Sequence, residues 1–446
     1  MNLNIARNLL IFAFPLIISQ GVQILMVQAD SISAANISSE TLAAISLAYG
    51  IFVPVIFFFA GVFSIIPQLI GFADGNKKLW EVNDIAYSAL LISLLLPLLF
   101  IACYFAYKPL LLDFWSASES VESLATEYLD ILMLSLPFIT LGFSLRGFLS
   151  GLAILNAHLI SVIFGCLAKV AYLYLAHQDQ GLDIREIAFS TMLANVVILL
   201  VLAYKAQGKI SSNRKLYHQD EDVSPKFTNI KVVLSKGIPL GIAMLFEVIL
   251  FTLSMHYISG TSTENIAAYE VTRSLFSIMF IIPSSICIAM SIIISRKLAE
   301  AGRREVFQIA KTAAGLLLIC MCVQFTILCN FIDYVQSAYA LTDSVRGKIE
   351  MVIPILMICS VFDLLQYFLI AILRCLKQSI MIMASSIFSY FVMGMFFIYF
   401  VADQLVDAGG THFEALWIAI ASVFFLLTIT LLFGYLRVQR NGLGFR

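Results

Sequence analysis

Long apolar runs dominate this chain, and short polar clusters punctuate them at near-regular intervals. Twelve runs stand out, over residues 9–33, 43–70, 85–107, 125–150, 154–176 and 187–205, then 232–257, 266–294, 307–331, 347–373, 378–401 and 414–437. A helix rises about 1.5 Å per residue, so roughly 20 apolar residues cross the hydrocarbon core of a bilayer. Strands of a membrane barrel would instead show alternating segments of about 10 residues. The pattern therefore predicts an all-α membrane protein with twelve transmembrane helices.

The exceptions to the apolar pattern carry the chemistry. Residues 237–257 hold one carboxylate, Glu247, near their middle; Asp30 interrupts the first span and Asp363 the tenth. A charged side chain at membrane depth is expensive, so it is expected to pair, to be neutralised, or to face a water-filled cavity. In the first span Ser19, Gln23, Met26, Asp30 and Ser33 recur at spacings of three and four, which places them on one helical face. Pro15 lies one turn earlier and is a candidate hinge, because proline cannot donate the helical hydrogen bond. Asp30 sits toward the outer end of its span, where water could reach it. Asp363 shares a face with Ser360, Gln366 and Tyr367. If its helix neighbours that of Glu247, the two acids could share one cation. Lys169 is deep in the fifth span and is a candidate partner for Asp30 or for an acidic group on a substrate. Arg146 and Arg273 lie near span ends and are expected to snorkel to the interface. His158 and His256, also near helix ends, are expected to be hydrogen-bonded or solvated.

The two halves of the chain repeat. A shift of 224 residues places Phe14-Pro15-Leu16 on Ile238-Pro239-Leu240, Ala43-Ala44 on Ala267-Ala268 and Trp80-Glu81-Val82 on Arg304-Glu305-Val306. The same shift carries Ile85-Ala86 onto Ile309-Ala310, and residues 149–152 onto 373–376. Six spans per half is an even number, so both halves enter the membrane from the same side. The expected organisation is an N-terminal six-helix bundle (1–206), a polar linker (207–230) and a C-terminal six-helix bundle (231–446). The bundles are expected to be related by a pseudo-two-fold axis along the membrane normal. If the N-terminus is cytoplasmic, nineteen of the 27 Lys and Arg lie in cytoplasmic segments and four on the opposite side. The positive-inside rule then places both termini in the cytoplasm of a multi-pass inner (plasma) membrane protein.

Composition narrows the function classes. The chain is 61% hydrophobic and 12% charged, against roughly 45–50% apolar and 25% charged in soluble domains. A net charge of −1 gives no reason to expect a nucleic-acid partner. The eight cysteines form no CxxC pair or Cys/His cluster, so neither a disulfide framework nor a metal site is indicated. The first apolar run shows no small-residue cleavage pattern and reads as a retained span. No nucleophile–base pair or metal triad falls within the spans, which argues against an intramembrane enzyme, and nothing resembles a channel filter. The abundance of Phe, Tyr and Met suits lipid contact, and also suits planar lipophilic cations.

Phe14-Pro15-Leu16-Ile17 with Asp30, Leu42-Ala43-Ala44 and Gln68-Leu69-Ile70-Gly71 resembles the first repeat of the multidrug and toxic compound extrusion (MATE) family. Gly237-Ile238-Pro239 with Glu247, and Val361-Phe362-Asp363-Leu364-Leu365-Gln366 followed by Leu373-Arg374, resembles its second repeat, closest to the NorM-like branch. The resemblance spans nearly the whole chain. It implies an antiporter that expels small organic cations in exchange for Na⁺ or H⁺, with no cofactor beyond that coupling ion. By position it implies Asp30 as the N-lobe acid and Glu247 and Asp363 as C-lobe cation-binding acids, where Na⁺ could bind. A monomer in contact with membrane lipid suffices for that activity. The alternative within the same broad fold is a lipid-linked saccharide flippase, whose cleft would favour basic residues. Two departures stand out: Cys375 replaces the glycine expected after Leu-Arg, and Lys169 stands in a fifth span that lacks the expected asparagines.

Overall fold

The computed structural model describes residues 2–112, 118–179, 182–217, 227–300, 303–338 and 342–440. Among them every regular element is helical, and twelve helices are long and apolar enough to cross a membrane. Lipid offers the backbone no hydrogen-bond partner, so each span must satisfy its own N–H and C=O groups, which helices do. The helices outrun the apolar runs at most ends: the first covers Leu3–Ile37 and the tenth Asp343–Cys375.

Two spans depart from a uniform α-helix. The second is broken into α2 (Ser39–Phe63) and α3 (Ile66–Gly75). Pro67 in the first turn of α3 has no N–H to give and crowds the preceding carbonyl, so the α2 ladder stops before it. The eleventh span, from Ser379 to Asp407, carries π-helical segments at Ile387–Met393 and Phe397–Val401.

The chain divides into two compact units. One is Phe14–Gly241; the other joins Met1–Ala13 to Ile242–Arg446. Both division points fall within three residues of a proline inside a helix, Pro15 in α1 (Leu3–Ile37) and Pro239 in α8 (Ile230–Ser259).

In the Phe14–Gly241 unit, α5 (Glu119–Gly151) is the central helix. It packs on α2, on α4 (Leu79–Leu112) and on α7 (Ile184–Tyr217), while α6 (Asn156–Asp179) lies along α7. Met26 of α1 joins Val162 and Ala194 in a small core between α1, α6 and α7. The start of α8 crosses α2 at backbone contact: a Cβ on Gly61 would lie 2.6 Å from Gly241 Cα, and one on Gly241 2.7 Å from Phe58 O. Gly237 and Gly241 form a small-xxx-small pair, the pattern that lets membrane helices approach closely. Before α8, Asp84 of α4 accepts hydrogen bonds from Thr228 Oγ1 (2.8 Å), Asn229 Nδ2 (2.8 Å) and Asn229 N (3.1 Å). The polar stretch expected at 207–230 is thus helical as far as Tyr217 and fastened to Asp84 at its far end; residues 218–226 lie outside the described residues.

In the second unit α11 (Asp343–Cys375) packs between α9 (Thr263–Glu300) and α15 (His412–Arg440), with α10 (Arg303–Ala338) on α9. Trp417 is fully buried, with Tyr269 and Phe276 at ring-centroid distances of 6.1 and 6.2 Å.

The repeat is visible in the turns. Ala153 after α5 (φ 65°) and Lys377 after α11 (φ 58°) are both left-handed and stand 224 residues apart. Each turn closes with the same pair of bonds, Ala153 N to Ser150 O (2.9 Å) with Ile154 N to Leu149 O (2.8 Å), and Lys377 N to Arg374 O with Gln378 N to Leu373 O (both 3.0 Å). This is the six-to-one, five-to-two closure of a Schellman turn, here without glycine at the left-handed position.

Candidate functional site

Asp30 is the hub of a buried network in the Phe14–Gly241 unit. Its Oδ1 lies 2.6 Å from Lys169 Nζ, and each side chain is only 1% exposed. Lys169 also donates to Met26 O (2.8 Å) and to Thr191 Oγ1 (3.0 Å). Thr191 Oγ1 in turn donates to Asp30 Oδ2 at 3.1 Å. The other side of Oδ2 receives Tyr49 OH at 2.7 Å, and Tyr128 OH lies 3.2 Å from Tyr49 OH and 3.4 Å from the carboxylate. Two hydroxyl relays and one ammonium therefore converge on a single carboxylate, drawing on α1, α2, α5, α6 and α7. Taking two opposite charges out of water is tolerable only where the ion pair itself is close and the remaining oxygen is hydrogen-bonded, as Oδ2 is here.

The network forms one end of a cavity of about 330 Å³ within this unit. Gln23, Met26 and Asp30 of the polar stripe line it, as do Arg146, His158 and Asn195. Gln23 Nε2 lies 3.3 Å from His158 Nε2. Three members of the stripe thus face one cavity over two turns of α1. Ser19 is instead buried with its hydroxyl on Pro15 O (2.6 Å), and Ser33 does not line the cavity. Asp30 is sealed by Tyr49, Tyr128 and Lys169. One expectation is corrected. Arg146 lines the cavity rather than snorkelling, because α5 is the central helix of its unit. Arg273 does stay exposed, with Glu270 at 2.8 Å.

The second unit places Glu247 and Asp363 together in a different setting. Asp363 is buried and accepts one hydrogen bond, from Gln366 Nε2 at 2.7 Å, one turn on along α11. Glu247 is half-buried and makes no hydrogen bond or ion pair with the described residues. It lies within electrostatic reach of Asp363, Tyr367, Tyr390 and Arg374. Arg374 reaches in from the end of α11, and its buried Nε has no hydrogen-bond partner. Ser360 and Asp363 share a small cavity with Phe280, whose ring meets Tyr367 edge-on at 4.6 Å. Where Asp30 carries its own ammonium, these two acids carry none in direct contact. A pair of carboxylates with few fixed donors is a setting that a small cation or a proton can complete.

The MatE family model matches this chain twice, over residues 15–175 and 239–400. The matches begin at Pro15 and Pro239, one repeat apart, and together cover most of the sequence. The chain belongs to the MatE family. Its relatives include the probable multidrug resistance protein NorM of Pasteurella multocida, 24% identical over 93% of this chain and 90% of that protein. The multidrug resistance protein NorM of Vibrio cholerae is 23% identical over 87% of this chain and 86% of its own length. Among solved structures, an outward-facing multidrug resistance MATE family transporter of the MOP superfamily superposes with a TM-score of 0.85. It is 18% identical and covers 98% of this chain and 96% of its own. The family is one of transporters rather than enzymes, which agrees with the absence of a catalytic motif from the sequence.

This MatE chain adds groups that sequence reasoning missed. Tyr49, Tyr128 and Thr191 are uncharged and fall in ordinary apolar patterns, so only the fold brings their hydroxyls to Asp30. Tyr390 belongs to the π-helical segment and gave no signal at all. The glycine replaced by Cys375 has an explanation: the thiol donates to Ser291 O (3.3 Å) and accepts from Ser295 Oγ (3.4 Å), bonding α11 to α9.

Proposed function

We propose that this protein is a cation-coupled antiporter that exports organic cations and other drugs by alternating access, with Na⁺ or H⁺ exchanging at Glu247 and Asp363. The observation that carries the reading is the contrast between the acids. Among the described residues Asp363 is buried at membrane depth with one hydrogen bond and no ammonium or guanidinium in contact, while Glu247 makes no hydrogen bond or ion pair. An inward-moving cation yields about 2.3 kcal/mol per 100 mV of membrane potential, which is ample for export against a gradient. Drug and ion need only favour different conformations for the exchange to be coupled. The names of the NorM relatives support a multidrug substrate range. The basic bias of one set of loops supports cytoplasmic termini in the inner membrane, and one polypeptide with two repeats supports a functional monomer. In this reading Asp30 exchanges a cation only when Lys169 withdraws.

The test is efflux of ethidium from proteoliposomes under separately imposed Na⁺ and H⁺ gradients, with Asp363→Asn alongside. Efflux driven by one gradient and lost in the variant names the coupling ion and supports the assignment. Undiminished efflux in both Asp363→Asn and Glu247→Gln overturns it.

A further inference from the structure

Lys169 Nζ sits in a cage of oxygens. Three oxygens of different kinds surround it: the Asp30 carboxylate at 2.6 Å, the Met26 backbone carbonyl at 2.8 Å and the Thr191 hydroxyl at 3.0 Å. Carboxylates and backbone carbonyls are also what a hard cation collects when it leaves water. An ammonium has three N–H groups, and the cage offers one oxygen for each. Thr191 gives its own hydroxyl hydrogen to Asp30 Oδ2 (3.1 Å), which leaves its lone pair for Lys169. Around these polar atoms the wall is apolar: Met26 packs with Val162 and Ala194, and Val22, Cys166 and Ile198 lie against that cluster. Lys169 is among the largest fully buried side chains of the molecule. Pulling Nζ out of the cage would leave a lone buried carboxylate and set an unpaired ammonium against apolar side chains, and both are costly.

We propose that the Lys169 ammonium is a resident cation, which fills the cage at Asp30 throughout the transport cycle and confines free-ion exchange to Glu247 and Asp363. The tether gives Lys169 a local concentration at Asp30 that a dissolved ion does not reach. Lys169 thereby sets how many ions one cycle moves, since it removes one of the three membrane acids from the exchange. The cage oxygens belong to α1 and α7 and the ammonium to α6, so the same charge also ties three helices together. The statement about exchange rests on the export reading and narrows it, because there Asp30 waits on the withdrawal of Lys169. The occupancy of the cage does not rest on that reading.

The experiment has two arms, both with the full chain. The first cuts the tether. Lys169→Ala removes the ammonium with three carbons of its stem, and propylammonium is the missing piece. Thermal unfolding in nanodiscs is followed in choline chloride and in equal concentrations of sodium chloride or propylammonium chloride. Glu247→Gln and Asp363→Asn are present throughout to silence the other acids. Lys169→Ala is expected to gain about 2–4 °C from propylammonium or Na⁺ over choline, and the parent with Lys169 intact to gain nothing. Adding Asp30→Asn is expected to abolish the gain. No gain from either cation in Lys169→Ala, or an equal gain in the parent, overturns the cage. The second arm needs no uncompensated charge, so it stands even where Lys169→Ala fails to fold. In ethidium efflux the neutral double variant Asp30→Asn/Lys169→Met, monodisperse by gel filtration, is expected to keep the wild-type half-saturating concentration and Hill coefficient for the driving ion. A lower Hill coefficient, a shifted half-saturating concentration or the loss of ion-driven efflux overturns the proposal. Absence of ion-driven efflux from wild type instead removes the export reading and the exchange claim with it, while the propylammonium gain still decides the cage.

Discussion

Lys169 Nζ and Asp30 Oδ1 form a 2.6 Å ion pair with both side chains withdrawn from solvent. Removing one partner of such a pair leaves the other charge buried and uncompensated, at a cost of about 3–5 kcal/mol. Lys169→Met is therefore expected to lower thermal stability markedly. Asp30→Asn added to it should restore most of the loss, since the tyrosine and threonine hydroxyls can still bond an amide. Thermal unfolding of the two single variants and the double variant in detergent measures the coupling; additive losses would deny it.

Gln366 gives Asp363 its one hydrogen bond among the described residues. Gln366→Leu keeps the carboxylate and removes the group that orients it. Losing such a bond to a charged group is worth roughly 1.5–3 kcal/mol, or about ten- to a hundredfold in affinity. The half-saturating concentration of the driving ion should rise accordingly in the efflux assay, with the maximal rate less affected. An unchanged ion dependence would locate the exchange site elsewhere.

The crossing of α2 with the start of α8 depends on Gly61 and Gly241. Even an alanine methyl at Gly241 would meet Phe58 O at 2.7 Å. Gly241→Ala is expected to destabilise by about 1–3 kcal/mol, and larger residues by more. Gly50, in α2 with nothing within 4 Å of an added Cβ, supplies the control, and Gly50→Ala should be neutral or stabilising. Melting temperatures of the purified variants compare the two sites directly.

Ala153 and Lys377 hold left-handed backbone without being glycine. An L-residue there costs about 1–2 kcal/mol, and glycine gives back about 0.5–1 kcal/mol through its looser unfolded state. Ala153→Gly and Lys377→Gly should each raise stability by up to about 1 kcal/mol, read as a small increase in melting temperature. A decrease at both sites would show that the side chains contribute contacts that outweigh the strain.

The twelve spans were legible because a bilayer imposes one strict requirement, a run of apolar residues long enough to cross it. The repeat was legible through Pro15 and Pro239. Asp30, Glu247 and Asp363 announced themselves as charges where charges are costly, and Lys169 did so for the same reason. What the sequence left open was pairing. Lys169 had several conceivable partners, and the choice of Asp30 depends on how α1, α6 and α7 pack. The hydroxyls of Tyr49, Tyr128 and Thr191, and the hold of Asp84 on Thr228 and Asn229, have no signature in hydropathy. Arg146 was misplaced because distance from a span's end says nothing about whether its helix is central or peripheral.

The Schellman turns that end α5 and α11 mark a frame shared by the two halves. Ala153 and Lys377 keep one strained backbone shape at matching positions, although their side chains share nothing. The chemistry at matching positions has drifted apart: Asp30 corresponds to Ser254, Lys169 to Met393, and Gln23 to Glu247. The backbone at these matching positions is thus kept where the charged chemistry is not. The same frame carries two chemistries, in one half a closed ion pair beside an aromatic-walled cavity, in the other an open pair of acids.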